Sequence, residues 1–311
     1  MDHQTLAYRV GPHTFVIENH LSTDLSALLP SCQPFLTSND TAALRPVFSL
    51  LLATGETAPQ DSASFTPEDA TLLTDFEWED ARCCIYRDVD GSYTIELVPH
   101  STTHSYRLHS SSDFGRNSLY LGDADERLWP FVLNNFLMMV YTFATAPLST
   151  LLVHASVVCC GGKAYMFLGR SGTGKSTHSR LWLEHIPGCR LLNDDNPVLH
   201  VGSDGVATVY GSPWSGKTPC YLNESYPLGA VVRLEQAPAN QIVSLGSVHA
   251  FAALLPSCSC LKQHDAVHRG VLDAVTRLST TVPVYHLKCL PDADAARLCS
   301  QTVGAIDSLP N

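Results

Sequence analysis

Short apolar runs separated by turn-forming residues characterise the first half of the chain, and this pattern predicts β-strands. The clearest pairs are residues 8–10 with 14–17 and residues 83–86 with 93–97, each joined by a turn that contains glycine. We therefore predict a hairpin at each place. Between them, the segment 54–69 is rich in Thr, Ser, Pro and acidic residues, which predicts an exposed loop.

A long apolar segment closes this half of the chain. Residues 128–146 are apolar on all sides, which predicts a helix buried between two layers. The wider stretch 131–153 has membrane-like hydropathy, but Asn134, Asn135 and Pro147 interrupt it. This favours a buried helix over a membrane span.

From residue 151 onward, glycine-punctuated strand patterns alternate with helical patterns, which indicates an α/β unit. Predicted strands cover residues 153–158, 164–168, 189–193, 198–201, 207–210 and 230–234, with an edge strand at 281–290. Predicted helices cover residues 176–185, 250–255, 266–278 and 292–303. The sequence thus predicts two domains: a β-rich α+β domain of unknown role at 1–148, and an α/β domain at 149–311.

Composition narrows the class of partner. The 311 residues include 19 basic and 30 acidic side chains, a net charge of −11, and no basic run, so a nucleic-acid partner is not expected. A membrane is not expected either, because the one membrane-like stretch is interrupted. The amino terminus lacks a basic region followed by an apolar run, so we expect no secretory signal. Eleven cysteines in a chain without a visible secretory signal indicate packing thiols in a reducing, cytoplasmic environment. They lack C-x-x-C spacing, so a metal site of thiolates is not expected.

The strongest chemical signal is the segment 169–177, GRSGTGKST, which fits the P-loop (Walker A) pattern G-x-x-x-x-G-K-[ST] between an apolar strand and a helix. Its backbone N–H groups and the helix N-terminus would hold phosphate oxygens, Lys175 would reach the β- and γ-phosphates, and Ser176 would ligate Mg²⁺. The alternative is a fortuitous glycine-rich turn. The residues predicted here to bind nucleotide are Gly169, Arg170, Ser171, Gly172, Thr173, Gly174, Lys175, Ser176 and Thr177.

Two adjacent carboxylates, Asp194 and Asp195, follow the predicted strand 189–193. At the carboxyl end of a strand in a phosphate-binding sheet, acidic side chains meet Mg²⁺. The alternative is a turn, because Asp-Asp-Asn-Pro consists of turn-forming residues. The phosphate-binding pattern one helix upstream favours the functional interpretation.

A histidine, His154, is predicted to lie beside the same site. Gly161-Gly162 predicts a two-residue hairpin turn, so paired residues should sum to 323 and His154 should face Gly169. A register slip of one residue would move the imidazole to the other face. The alternative is a core histidine in an apolar strand.

The segment 210–218 combines turn formers at both ends with Trp214 and Lys217. Such a loop could cover a nucleotide or present Lys217 to a phosphate, so Lys217 is a further predicted nucleotide-binding residue. The alternative is a surface turn held by a buried Trp214.

These four elements, in this order, resemble the kinase domain of the HPr kinase/phosphorylase family, which belongs to the P-loop superfamily of phosphoenolpyruvate carboxykinase. The resemblance covers residues 151–311 and implies a mixed-sheet P-loop kinase domain. It implies that Asp194 is the general base, that Asp195 joins Ser176 at Mg²⁺, and that His154 bonds to Asp194 or to a phosphate. The chain departs from the family where Thr177 replaces an acidic residue after the GKS, and where a later Arg-Gly-Leu-Gly-type signature is absent.

We therefore predict an ATP-dependent, Mg²⁺-assisted phosphotransferase, with Asp194, His154 and Lys175 as catalytic residues and Ser176 and Asp195 as metal ligands. The acceptor would be a hydroxyl, in particular serine in a peptide, a protein or the free amino acid. The alternatives are a nucleotide-binding regulatory protein with little turnover and a simple nucleoside triphosphate hydrolase. The sequence does not choose adenine over guanine. Members of the family form oligomers, which leaves a homo-oligomer open.

Overall fold

The computed structural model describes residues 4–37, 45–54, 67–78, 80–122, 125–216 and 218–305, and it has an α/β fold with two mixed sheets. The chain divides into two compact units. The first contains the described residues up to Ala144 apart from Val10–Pro12. The second contains Val10–Pro12 and the described residues from Thr145 onward. The predicted exposed loop at 54–69 falls mainly outside the described residues, since only residue 54 and residues 67–69 are among them.

The first unit contains a sheet of eight strands in the order β1-β2-β3-β8-β7-β6-β5-β4. Both predicted hairpins are confirmed, and β4 is a strand that the sequence pattern did not predict. Its strands are β1 (Gln4–Val10), β2 (His13–Asn19), β3 (Phe48–Ala53), β4 (Thr71–Glu77), β5 (Ala81–Arg87), β6 (Tyr93–Pro99), β7 (Tyr106–Ser110) and β8 (Arg116–Tyr120).

Helices α1 (Leu25–Leu28) and α2 (Trp129–Thr145) accompany this sheet. α2 confirms the predicted buried helix, because its side chains contact the sheet: the ring centroids of Tyr141 in α2 and Phe15 in β2 lie 6.4 Å apart. One helical segment, Glu126–Leu148, is long and apolar enough to cross a membrane by composition, and 61% of its most apolar window is buried. Such burial is also found in the core helices of globular proteins.

The second unit contains a sheet of nine strands with the path β12-β10-β11-β15-β14-β13-β9, to which β17 is added beside β15 and β16 beside β17. Strands β10 and β11 are buried almost throughout, so both faces of the sheet are covered there. The strands are β9 (Thr150–Leu152), β10 (Ala155–Cys160), β11 (Lys163–Leu168), β12 (Arg190–Asp195), β13 (Val198–Val201), β14 (Ala207–Tyr210), β15 (Ser225–Gln236), β16 (Gln241–Ser244) and β17 (Val284–Cys289). The helices are α3 (Lys175–His185), α4 (Ser247–Leu254), α5 (Asp265–Thr281) and α6 (Ala293–Thr302).

Two predicted strands differ from the structure. The predicted strand 153–158 is interrupted at His154, because β9 pairs with β13 whereas β10 pairs with β11 and β12. The predicted edge strand at 281–290 is wrong in its position, since β17 lies between β15 and β16. The four-residue strand β16 was too short to be recognised from its pattern.

The crossover from β11 through α3 to β12 positions the functional residues. Both β11 and β12 run antiparallel to β10, which lies between them, so they are parallel to each other. Their carboxyl ends therefore meet at one edge of the sheet. Gly169 follows β11 at this edge, and Asp194 and Asp195 end β12 there.

Candidate nucleotide-binding and catalytic site

The glycine-rich loop (residues 169–177) joins β11 to the first turn of α3. Gly172 and Gly174 have φ values of +78° and +105°, which only glycine adopts without strain. These two residues let the chain turn sharply into α3, where His178 N–H donates to the Gly174 carbonyl at 2.8 Å. Arg170, Ser171 and Gly172 are exposed, so the outer surface of the loop is open to a ligand.

Lys175 is held beneath this loop by two hydrogen bonds. Its Nζ donates to the Gly169 carbonyl at 3.0 Å and to His154 Nε2 at 2.8 Å. The side chain is buried, and burial lowers the pKa of Lys175, although the carboxylates of Asp195 and Asp194 act in the opposite direction. The ammonium group is thus fixed between the loop and the two acids.

His154 lies between Lys175 and Asp195. The confirmed register pairs Ala155 with Leu168, so His154 follows in the position expected opposite Gly169. Its Nδ1 lies 2.9 Å from Asp195 Oδ1. Donation from Nδ1 leaves Nε2 as the acceptor for the Lys175 ammonium, so the contacts select one neutral tautomer.

The carboxylate that contacts His154 is not the one that the family resemblance implied. The resemblance implied Asp194 or a phosphate, whereas the imidazole contacts Asp195. Asp195 has a φ of +139°, an unusual conformation for a residue other than glycine, at the point where β12 ends. This backbone turn, which periodicity does not predict, accompanies the contact between the Asp195 carboxylate and the imidazole.

Asp194 instead contacts the start of α3. The Ser176 hydroxyl donates to Asp194 Oδ1 at 3.0 Å, and Asp194 is buried. The resemblance implied a Ser176–Asp195 pair at Mg²⁺, so the two aspartates have exchanged the partners expected of them. Adjacent side chains of an extended strand point in different directions, so the two carboxylates meet different partners.

The segment 211–216 packs against the end of β12. Gly216 N–H donates to the Asp194 carbonyl at 2.6 Å, the Ser215 hydroxyl donates to the same oxygen at 3.2 Å, and Ser215 pairs with Asp195 in an isolated β-bridge. Trp214 is buried, as the surface-turn alternative expected. Lys217, the predicted phosphate-binding cation of this loop, lies outside the described residues.

Two asparagines that the sequence interpretation left unassigned orient the acids. Asn196 Nδ2 donates to Asp195 Oδ2 at 2.8 Å, and Asn193 Oδ1 accepts from the Asn196 backbone N–H at 3.0 Å. Asn193 Nδ2 also donates to the Trp214 carbonyl at 3.3 Å. The signal available in the sequence was their position on either side of the Asp-Asp pair.

The donor set fits a magnesium ion that also binds phosphate. No group of three or more His, Cys, Asp or Glu side chains that could hold a metal ion occurs among the described residues. Mg²⁺ does not require one, since it usually takes one or two carboxylates together with substrate phosphates and water. Ser176 Oγ and Asp194 Oδ1 are 3.0 Å apart, close to the separation of about 2.9 Å between neighbouring ligands in an octahedral Mg²⁺ site.

Two cavities flank the glycine-rich loop. A polar cavity of about 490 Å³ lies along its outer part and includes the guanidinium-bearing residues Arg170 and Arg233. A more apolar cavity of about 550 Å³ adjoins Gly174 and Thr177 at the start of α3. The two cavities share Gly172, Thr173, Leu234 and Gln236, so they are adjacent and together follow the loop from Gly169 to Thr177.

Comparison with known proteins gives one family match. The family model described as SynChlorMet cassette protein ScmC matches residues 121–292, more than half of the chain. No curated protein matches the sequence. The solved HPr(Ser) kinase/phosphatase from Coxiella burnetii aligns with 49% of this chain and 88% of its own chain, at 11% identity and a TM-score of 0.31. The function of this chain is accordingly inferred from its own residues.

Proposed function

The chain belongs to the SynChlorMet cassette protein ScmC family, and we propose that it is an ATP-dependent, Mg²⁺-assisted phosphotransferase that acts on a hydroxyl group. One observation carries the proposal. At the edge of the sheet where the glycine-rich loop begins, Lys175, His154 and Asp195 form one hydrogen-bonded chain and Ser176 pairs with Asp194. Phosphoryl transfer needs positive charge beside the phosphates, oxygen ligands for a metal ion and a proton acceptor, and side chains of all three chemical kinds are present in this set.

Binding of the triphosphate depends on the loop and on Lys175. The exposed backbone of Arg170–Gly172 and the N-terminus of α3 present N–H groups and partial positive charge to phosphate oxygens. The Lys175 ammonium adds a full charge from a position fixed by Gly169 and His154. Because phosphoryl transfer is catalysed mainly by positioning and charge neutralisation, this arrangement contributes directly to the rate.

Ser176 and Asp194 would hold the Mg²⁺ ion. When bound with ATP, the ion neutralises charge on the phosphates and orients them. The Asp194 carboxylate accepts a hydrogen bond from the Ser176 hydroxyl, and its backbone carbonyl accepts hydrogen bonds from Gly216 N–H and the Ser215 hydroxyl. The proposal thus makes Asp194 the metal ligand, whereas the family resemblance implied Asp195.

The His154–Asp195 pair would take the proton of the acceptor hydroxyl. In the transfer, the acceptor oxygen forms a bond to the γ-phosphorus, the bond between that phosphorus and the β–γ bridging oxygen breaks, and ADP leaves with that oxygen. The hydroxyl proton passes to His154 Nε2 once Lys175 has moved toward the phosphates, and Asp195 stabilises the resulting imidazolium through Nδ1. The side chains of His154 and Asp195 are 42% and 36% exposed, so an acceptor can approach them.

The test is transfer of label from γ-labelled ATP in the presence of Mg²⁺ to a panel of serine-bearing acceptors: free serine, peptides and proteins. We expect label on at least one acceptor class with the native chain and with Asp273→Asn, an exposed aspartate of α5 used as the matched control. Asp195→Asn should transfer little or none. Label released only as free phosphate would identify a hydrolase, and label that stays on ATP would identify a nucleotide-binding regulatory protein. Either result would refute the proposal.

A further inference from the structure

The cavity of about 550 Å³ beside α3 has no role in the chemistry described above. None of His154, Lys175, Ser176, Asp194 or Asp195 lines it, although it touches the same loop. Its walls come from the loop, the first two turns of α3, the end of β15 and the segment after β17. The lining side chains that matter here are those of Thr177, Leu181, Leu234, Gln236, Ala237 and Cys289.

A nucleoside triphosphate held by the loop would extend its nucleoside end toward this cavity. In a loop of this kind the lysine contacts the β- and γ-phosphates, so the terminal phosphate would lie near Lys175 and the two aspartates. The α-phosphate and the nucleoside attached to it must therefore extend away from these groups. Neither cavity beside the loop is lined by these groups, but this one adjoins Gly174 and Thr177 at the start of α3, whereas the other includes the charged residues Arg170 and Arg233.

We propose that this cavity holds the nucleoside part of the nucleoside triphosphate, with the flat base against the apolar wall formed by Leu181 and Leu234. This inference rests on the proposed function and extends it, since it names the element that distinguishes a nucleotide from inorganic polyphosphate. Sites for small organic ligands are largely apolar cavities of about 300–1,000 Å³ with a few polar groups, and this cavity fits that description.

The cavity is uncharged and its walls are fixed. None of the described residues that line it is a Lys, Arg, Asp or Glu, and burial raises the pKa of the Cys289 thiol, so this side chain stays neutral at physiological pH. Ala237 N–H donates to the Cys289 carbonyl at 3.1 Å, which joins the ends of β15 and β17. The Gln236 amide donates to the carbonyls of Gly172 and Thr173 at 3.3 and 3.4 Å, which ties the same wall to the loop. A preformed neutral cavity suits a base rather than another phosphate.

The experiment compares two ligands, ATP and inorganic tripolyphosphate, each with Mg²⁺, by equilibrium titration. Tripolyphosphate has the phosphates without the nucleoside, so its affinity reports on the loop alone. The test variant is Ala237→Trp, which places a large side chain in the cavity and keeps the backbone N–H that bonds to Cys289. The matched control is Val248→Trp, at an 81% exposed position of α4 that does not line the cavity.

We expect the native chain and Val248→Trp to bind ATP roughly 10- to 100-fold more tightly than tripolyphosphate. In Ala237→Trp the ATP affinity should fall to that of tripolyphosphate, while tripolyphosphate binding stays as in the native chain and shows that the loop is still folded. If Ala237→Trp retains the full preference for ATP, the nucleoside lies elsewhere and the inference is overturned. If the native chain binds neither ligand, the proposed function itself fails and the cavity assignment fails with it.

Discussion

The imidazole Nδ1 of His154 lies 2.9 Å from the Oδ1 atom of Asp195, and this contact brings together two residues that are distant in sequence. His154 occupies the break between β9 and β10, and Asp195 ends β12. The contact orients the imidazole so that its other nitrogen meets Lys175 at 2.8 Å. A lysine, a histidine and an aspartate thereby act as one unit beside the glycine-rich loop.

The two aspartates should respond differently to the loss of charge. Asp194→Asn weakens the pair that would hold Mg²⁺, so we expect the Mg²⁺ concentration for half-maximal transfer to rise roughly tenfold or more. Asp195→Asn should leave that concentration almost unchanged and lower the rate at saturating Mg²⁺ by about 10²–10⁴-fold, because it removes the support for proton transfer. Mg²⁺ titrations of the transfer rate give both quantities.

Ser176→Ala serves as the second test of the metal pair. It removes the hydroxyl that bonds to Asp194 at 3.0 Å and should raise the Mg²⁺ requirement in the same direction as Asp194→Asn. The assignment of the two acids is contradicted if Asp195→Asn raises the Mg²⁺ requirement and Asp194→Asn lowers only the saturated rate. That pattern would restore the roles implied by the family resemblance.

His178 should make the stability of the second unit sensitive to pH. Its ring is buried against Phe167, accepts a hydrogen bond from Trp182 Nε1 at 3.1 Å, and has a pKa lowered by burial to about 4. His178 takes up a proton near pH 6.5 in the unfolded chain but only near pH 4 in the folded chain. The contribution of the neutral His178 to the free energy of unfolding is therefore complete above pH 6.5 and is lost as the pH falls toward 4.

The corresponding measurement is the free energy of unfolding at pH 7 and pH 5 by urea titration. His178→Gln keeps an acceptor for Trp182. Its free energy of unfolding should decrease from pH 7 to pH 5 by about 2 kcal/mol less than that of the native chain. His185→Gln, at an exposed histidine of the same helix, should behave like the native chain. Equal pH dependence of the native chain and His178→Gln would show that His178 does not cause it.

Gly270 of α5 should not tolerate a methyl group. A Cβ atom at this position would lie 2.2 Å from the Ala146 carbonyl oxygen, which belongs to the backbone and cannot rotate away. We expect Gly270→Ala to lower the free energy of unfolding by about 1–3 kcal/mol, despite the better helix propensity of alanine. Urea titration of the native chain and the variant measures this difference.

Gly246, just before α4, is the matched control for that substitution. A Cβ atom there meets nothing within 4 Å, and the φ of −70° suits any residue. Gly246→Ala should therefore change the free energy of unfolding by less than about 1 kcal/mol. If both glycine variants lose the same stability, close packing at Gly270 is not the reason.

Much of the site could be predicted from local sequence. The Gly161-Gly162 turn fixes the register of β10 with β11, which correctly placed His154 near the start of the glycine-rich loop. The crossover through α3 likewise brought the two aspartates to the same edge of the sheet. These predictions succeeded because each depends on a short segment with few alternative conformations.

The partners of the acidic side chains could not be predicted in the same way. Whether Asp194 or Asp195 meets the imidazole depends on the backbone turn at Asp195, whose φ of +139° has no signature in an Asp-Asp-Asn-Pro segment. β4 pairs with its sequence neighbour β5, but none of its residues is buried, so hydrophobic patterning does not show it. The position of β16 depends on pairing with β17, which is distant in sequence. Tertiary contacts decided the position of β16 and the partners of the two acids.

Binding of a nucleoside triphosphate by the glycine-rich loop is the central claim, and the Lys175 ammonium is its most direct probe. The measurement is the equilibrium affinity for ATP with Mg²⁺ of the native chain, of Lys175→Ala and of Lys163→Ala, the last at an exposed lysine at the start of β11. We expect the native chain and Lys163→Ala to bind ATP equally well, and Lys175→Ala to lose affinity by roughly 10²-fold or more because it removes a buried charge from the phosphates. ATP affinity that is the same in all three proteins would contradict the account.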